Sequence, residues 1–184
     1  MNREAKGQPI GGQFAARDRA DGDVTLNQPP VVHTRAIDVV YFAATSGPEI
    51  HADFTGRRHI AKLTAAQLQG RRLVVHGGSI RVTGRGDAQI EALGDTVVEA
   101  SAGPKVIARG NAIVRAIATE IDAHDNARVD AGFGSLVRAD GASHVEARDT
   151  TTVEASGEAV IVYDEVEYVH LSEAAAATRR RPTE

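Results

Sequence analysis

ARVDAGFG (127–134), SLVRADGA (135–142), SHVEARDT (143–150) and TTVEASGE (151–158) are four consecutive octapeptides, each with Val third and Ala fifth. Reading outward in both directions, a branched aliphatic recurs at Val74, Val82, Ile90, Val98, Val106, Val114, Ile121, Val129, Val137, Val145, Val153, Ile161 and Val169. Every step is eight residues except the seven between Val114 and Ile121. Ala follows two residues later at Ala92, Ala100, Ala108, Ala116, Ala123, Ala131, Ala139, Ala147 and Ala155, and a small residue usually stands two before. This is period-two alternation over five residues, closed by a three-residue turn. Small, branched and small side chains point one way, and charged or polar ones point the other. A period of eight is a poor multiple of 3.6, and the stretch is rich in Val, Thr and Gly, so a helix is excluded.

A five-residue strand cannot bury its apolar face alone, so repeats must stack. The expected fold is all-β: a single-chain parallel β-solenoid with one strand per octapeptide. Two tests set the number of strands per coil. Stacked residues lie about 4.8 Å apart, so their charges should alternate. With two repeats per coil, Glu99, Arg115 and Asp130 form one alternating ladder and Asp122, Arg138 and Glu154 another, with Asp130 under Glu146 as the one clash. With three repeats per coil, Glu99 would meet Asp122, and Arg115 would meet Arg138. The turns give the second test. Every second turn centres on Gly78, Gly94, Gly110, Asp125, Gly141 or Gly157, whereas Ala102, Ala118, Phe133 and Asp149 hold the intervening ones. Both tests select about 16 residues, or two octapeptide strands, per coil. About six such coils would rise roughly 29 Å.

The flanks differ in composition. Residues 1–30, with Gly7, Pro9, Gly11, Gly12, Pro29 and Pro30, read as a disordered arm. Residues 31–72 read as an N-terminal cap: an apolar run from Val31 to Ala44, then a short helix from Thr64 to Gln69 with Thr64 as its N-cap and Gly70 as its stop. The solenoid is expected over 73–171. Near its end Tyr163, Val166, Tyr168, Val169 and Leu171 are large enough to seal the core. Residues 172–184 read as a short C-terminal helix or tail, acidic first and with three Arg last.

The chain has 184 residues, 42% hydrophobic but only 4% aromatic and without Trp, so its core must be built from small aliphatics. A net charge of −4 gives no basic footprint for nucleic acid. With no Cys, disulfides, thiolate zinc sites and Cys nucleophiles are excluded. No apolar run reaches the roughly 18 residues of a membrane span, and the N-terminal stretch does not read as the apolar core of a signal peptide. The expected location is the cytoplasm or a virion assembled there.

Chemical motifs are sparse. None of the seven His has a partner at zinc-site spacing, although His124 adjoins Asp125 and His144 faces outward. Turn Asp occurs only at Asp95, Asp125, Asp140 and Asp149, too few for a calcium-binding solenoid. The outward acids Glu91, Glu99, Glu146 and Glu154 belong to flat faces rather than to a carboxylate pair across a cleft. No metal, cofactor or catalytic residue is expected, and the chain is read as a non-enzyme. The interaction candidates are apolar outward residues: Val97 and Ile113, stacked on one face near Ile107 and Ile117, and Phe133, an aromatic between Gly132 and Gly134.

The octapeptide in Ile113–Glu120 and Ala127–Gly134 resembles the repeats of bactofilins, which polymerise end to end, and of phage needle and spike proteins, which form intertwined trimers. The leader running from Asn2 to Pro9 and through Gly11-Gly12-Gln13-Phe14-Ala15 resembles leaders on proteins of actinobacterial phages and mobile elements. These resemblances imply a structural or interaction module, virion-associated or acting in assembly, and homo-oligomeric or bound to a protein. The alternatives are a bactofilin-like cytoskeletal polymer and an acidic-faced inhibitor of a host factor.

Two Ala-rich sheets leave a thin interior. Replacing Ala131 by Leu should therefore overpack it and cost about 1–3 kcal/mol in urea unfolding.

Overall fold

The small inward residues of each strand find their partners on the coils above and below. The computed structural model, which describes residues 31–32, 47–56, 60–164, 168–172 and 175–179, is a parallel β-solenoid of about seven turns, with about 16 residues per turn. The strands are β1 (Val31–Val32), β2 (Glu49–Ala52) and β3 (Ala61–Thr64), followed by the helical turn α1 (Ala65–Leu68). Then come β4 (Arg72–His76), β5 (Ser79–Thr83), β6 (Gln89–Leu93), β7 (Val97–Ser101), β8 (Lys105–Ala108), β9 (Ile113–Ile117) and β10 (Glu120–Ala123). The series ends with β11 (Arg128–Gly132), β12 (Leu136–Ala139), β13 (His144–Arg148), β14 (Thr152–Ala155), β15 (Val160–Asp164), β16 (Tyr168–Leu171) and β17 (Ala176–Arg179). β1 and the even-numbered strands make a nine-stranded first sheet; the odd-numbered strands from β3 make an eight-stranded second sheet. The arm over 1–30, most of the run from Val31 to Ala44, and Val166 lie outside the described residues.

The register follows the expected repeat from Ile90 onward. In the first sheet Ile90, Val106, Ile121, Val137, Val153 and Val169 stack, with the shortened step falling between Val106 and Ile121 as the repeat requires. Val98, Val114, Val129, Val145 and Ile161 stack in the second. All but Val169 are buried, and Ala108, Ala123 and Ala131 beside them are fully so.

Before Ile90 the expected series is corrected. Leu73, not Val74, stacks under Ile90, and Ile80, not Val82, stacks under Val98. Both steps exceed the regular one, the first by one position and the second by two, because the connection from Gly84 to Ala88 is longer than the later turns. One added residue reverses which side chains face inward. Val74 therefore lies on the outer row between His51 and Glu91, where neighbours still leave it only 4% exposed. Val82 takes the place that Ala holds in later coils, opposite Ala100.

The stack is also longer than six coils. β2 and β3 pair in register with β4 and β5, so the expected cap region carries a coil of its own. Its step, from Ile50 to Leu73, is longer still and makes room for α1, capped by Thr64 and ended by Gln69 and Gly70 in left-handed conformations. Phe54 and Leu68 fill this wider coil and are fully buried. At the other end, where a short helix or tail was expected, Ala176–Arg179 form β17, paired with β15. Short Ala and Thr side chains suit either state, and the exposed edge of β15 supplies hydrogen-bond partners that an isolated helical turn lacks. Tyr163 and Val169 pack partly against the core, whereas Tyr168 and Leu171 stay exposed and seal nothing.

The coil has two edges, and they differ in the residue that turns the chain rather than in its conformation. Gly94, Gly110, Asp125, Gly141 and Gly157 are all left-handed, with φ between 59° and 69°. On the other edge Ala102, Ala118 and Asp149 adopt the same conformation, but Gly134 takes it in place of the expected Phe133. Buried hydroxyls stand just before five of the strands, at Thr96, Thr119, Ser135, Ser143 and Thr151. Thr96 Oγ1 donates to the Leu93 carbonyl at 2.6 Å and accepts from the Gly77 amide at 2.7 Å. Ser135 and Ser143 occupy the same row with no hydrogen-bond partner for their hydroxyls.

Two substitutions separate these effects. A Cβ on Gly78 would lie 2.3 Å from the Phe54 carbonyl oxygen, and its φ is +77°. Gly78→Ala should therefore cost about 2–5 kcal/mol, the sum of backbone strain and overpacking. Ser143→Ala removes an unsatisfied hydroxyl from a position where Ala112 and Ala127 already fit, so it should leave the melting temperature unchanged or raise it. Thermal unfolding followed by circular dichroism checks both.

Candidate interaction surface

Outward side chains of neighbouring coils are forced into rows, so the faces of the rod are patterned by coil register. On the first sheet the rows are densely paired. Lys105 Nζ lies 2.9 Å from Glu120 and 2.8 Å from Asp122, and Arg138 lies 2.6 Å from Glu120 and 3.4 Å from Glu154. Hydrogen bonds from Lys105 and then Arg138 hold the Glu120 carboxyl below its ordinary range. The same contacts, to Asp122 and then Glu120, raise Lys105. The expected ladder of Asp122, Arg138 and Glu154 is present in register. His124 Nδ1 lies 2.9 Å from Asp140 one coil on.

The second sheet is different. Its central outer row carries Glu99, Arg115, Asp130 and Glu146 in register, including the expected clash of Asp130 with Glu146. The clash is relieved by Arg148, which pairs with Asp130 and whose guanidinium that contact keeps firmly protonated. Arg81 donates to Glu99 at 2.6 Å. Arg115 is held more loosely, 3.9 Å from Glu99 with its side chain 62% exposed. In the neighbouring outer row Val97 stacks on Ile113, both half-buried. At the rim Ile117 ends β9 and is 55% exposed; Phe133 follows β11 and is 63% exposed. The Ala118 amide donates to the Phe133 carbonyl, which ties the two turns together. Gly132, between Ile117 and Arg148 in the stack, leaves a notch in a shallow groove of about 440 Å³ that both apolar rim residues line.

Four of the five apolar candidates thus share one sheet and its rim: Val97, Ile113, Ile117 and Phe133. Ile107 does not. It lies on the opposite sheet between Glu91 and Asp122. Sequence reading missed the part that Lys62 and Arg81 play in the second sheet's charge row. The shifted assignment of Val82 hid it, because it placed Thr83 in the row that Arg81 occupies. The signal was the long Gly84–Ala88 turn.

Among the described residues, no three His, Asp or Glu side chains come together as a metal-binding group, and no helix is long and apolar enough to cross a membrane. No known family, curated protein or solved structure matches the chain.

Because the folded-state pKa of Glu120 is depressed, its stabilising effect is present above the unfolded-state pKa and is lost as pH falls through the folded value. Glu120→Gln should cost about 0.2–1 kcal/mol at neutral pH, the range of exposed pairs. It should cost nothing once the pH lies below the depressed folded-state value, itself under the ordinary Glu value of about 4.3. Urea unfolding of both proteins at the two pH values reads the difference.

Proposed function

We propose that this chain is a non-enzymatic structural or interaction module, encoded by a phage or mobile element and acting in or on a virion or its assembly. It works as a stiff rod that presents the outer face of the second sheet to a protein. The observation that carries this reading is the gathering of Val97, Ile113, Ile117 and Phe133 on one sheet and its rim, beside a groove. Elsewhere the outer rows are largely engaged in ion pairs. The rod supplies rigidity, since each coil is hydrogen-bonded to the next along both sheets. The leader resemblance supports the phage or mobile-element origin.

A second reading, the bactofilin-like polymer, is favoured by a different observation. The inward positions of the last coil, Val169 and Ala177, are only partly buried, and Leu171 and Tyr168 stand exposed beside them. Such an end could take another coil. Against it stands the two-sheet coil, since bactofilin coils are usually longer and three-faced.

Ile113→Lys puts a charge at the centre of the patch without touching the interior. It should leave the circular dichroism spectrum unchanged and weaken association at least about tenfold, read as a fall in solution mass by light scattering. An unchanged mass overturns the patch. A concentration-dependent polymer that persists in the variant favours end stacking.

A further inference from the structure

The central outer row of the second sheet runs, coil by coil, Lys62, Arg81, Glu99, Arg115, Asp130 and Glu146, and ends in the uncharged Val162 and Thr178. In sign the first six are plus, plus, minus, plus, minus, minus. Reversed end to end, these six charged positions are their own complement. About a centre between Glu99 and Arg115, Glu99 meets Arg115, Arg81 meets Asp130 and Lys62 meets Glu146. All three pairs are of opposite sign. Moving the centre by one strand destroys this: Glu99 then meets Glu146, or Lys62 meets Arg115. No centre on the first sheet's row of His51, Val74, Glu91, Ile107, Asp122, Arg138, Glu154 and His170 gives three opposite pairs.

We propose that the partner of this face is a second copy of the chain, related by a two-fold axis that runs along the strand direction between β7 and β9. The proposal rests on the functional reading above and deepens it. Such an axis keeps each residue in its own row and reverses the order of coils, which is the operation that makes the charges complementary. The same operation sets Val97 against Ile113 twice, around the axis, at the centre of the contact. It brings Ser79 opposite Arg128 and Ser101 opposite Ile117, with no like charges in either flanking row. At the rim it places Phe133 across from Gly84 of the other copy, where a Cβ would meet nothing within 4 Å. An exposed aromatic thus faces an empty position.

All six charged residues are exposed or half-buried, and the central Arg115 is held only loosely within its own chain, 3.9 Å from Glu99. Six strands at about 4.8 Å spacing and about 17 Å of strand cover roughly 500 Å² of flat face per copy. That lies toward the small end of specific interfaces, so the dimer should be salt-sensitive.

The test uses the full chain in sedimentation equilibrium, with circular dichroism to verify folding. The wild type should be a dimer that dissociates as salt rises. Glu99→Arg sets Arg against Arg115 of the second copy, and Arg115→Glu sets Glu against Glu99. Each variant alone should dimerise at least about tenfold more weakly. An equimolar mixture of the two should regain the dimer, because both central pairs are then again of opposite sign. If Glu99→Arg lowers the yield of folded protein, Lys62→Glu mixed with Glu146→Lys carries the same test at the outer pair. A dimer untouched by the single variants, or one lost and not regained on mixing, overturns the two-fold arrangement. If Ile113→Lys still abolishes that dimer, the face itself stands. A wild type that stays monomeric at all concentrations, or that forms an open polymer, overturns the second copy as the partner.

Discussion

A strand of five residues with a small-branched-small face is stable only when the same face lies directly above and below it. That requirement governs everything else in this molecule. It makes the repeat strict, because a Val of one coil must meet a Val or Ile of the next at the inter-strand spacing. It also keeps the interior thin, since each large residue is flanked by Ala or a small hydroxyl residue. Where the coil departs from this pattern, as at Phe54 and Leu68, it lengthens to hold them.

Stacking applies to the outside as well. Outward residues have no choice of neighbour, so every coil's charge is read against the coils beside it. On the first sheet this yields interlocked pairs around Glu120 and Arg138. On the second it yields a row whose positive residues lie toward one end and its negative ones toward the other, with the order inverted at the centre. The first pattern is satisfied within one chain. The second is also matched by its own reverse, and it borders the apolar residues that the interior has no room to take.

The parts of the fold that could be read directly were those repeated many times. The ladders Glu99–Arg115–Asp130 and Asp122–Arg138–Glu154 needed only the spacing of two octapeptides. The helical turn at Ala65–Leu68 was legible from Thr64 and Gly70. Val74 and Val82 were misplaced because a regular series tempts continuation through a turn of irregular length. The strand at Ala176–Arg179 was hidden for another reason: its composition is neutral between helix and strand, and the edge of β15 decides. Among the candidate residues, the pairing of Val97 with Ile113 followed from the period. The separation of Ile107 from them depended on which of the two sheets each strand joins.

By itself the sequence determined a two-sheet parallel solenoid with two octapeptides per coil, because period-two alternation inside a period of eight makes the short apolar faces stack, and the charge ladders and alternating turn residues select two repeats per coil over three. The tertiary structure alone decided where the register slips, how many coils stack, and which charges share a row. Those depend on what lies one coil away, and the length of each turn sets that distance along the chain.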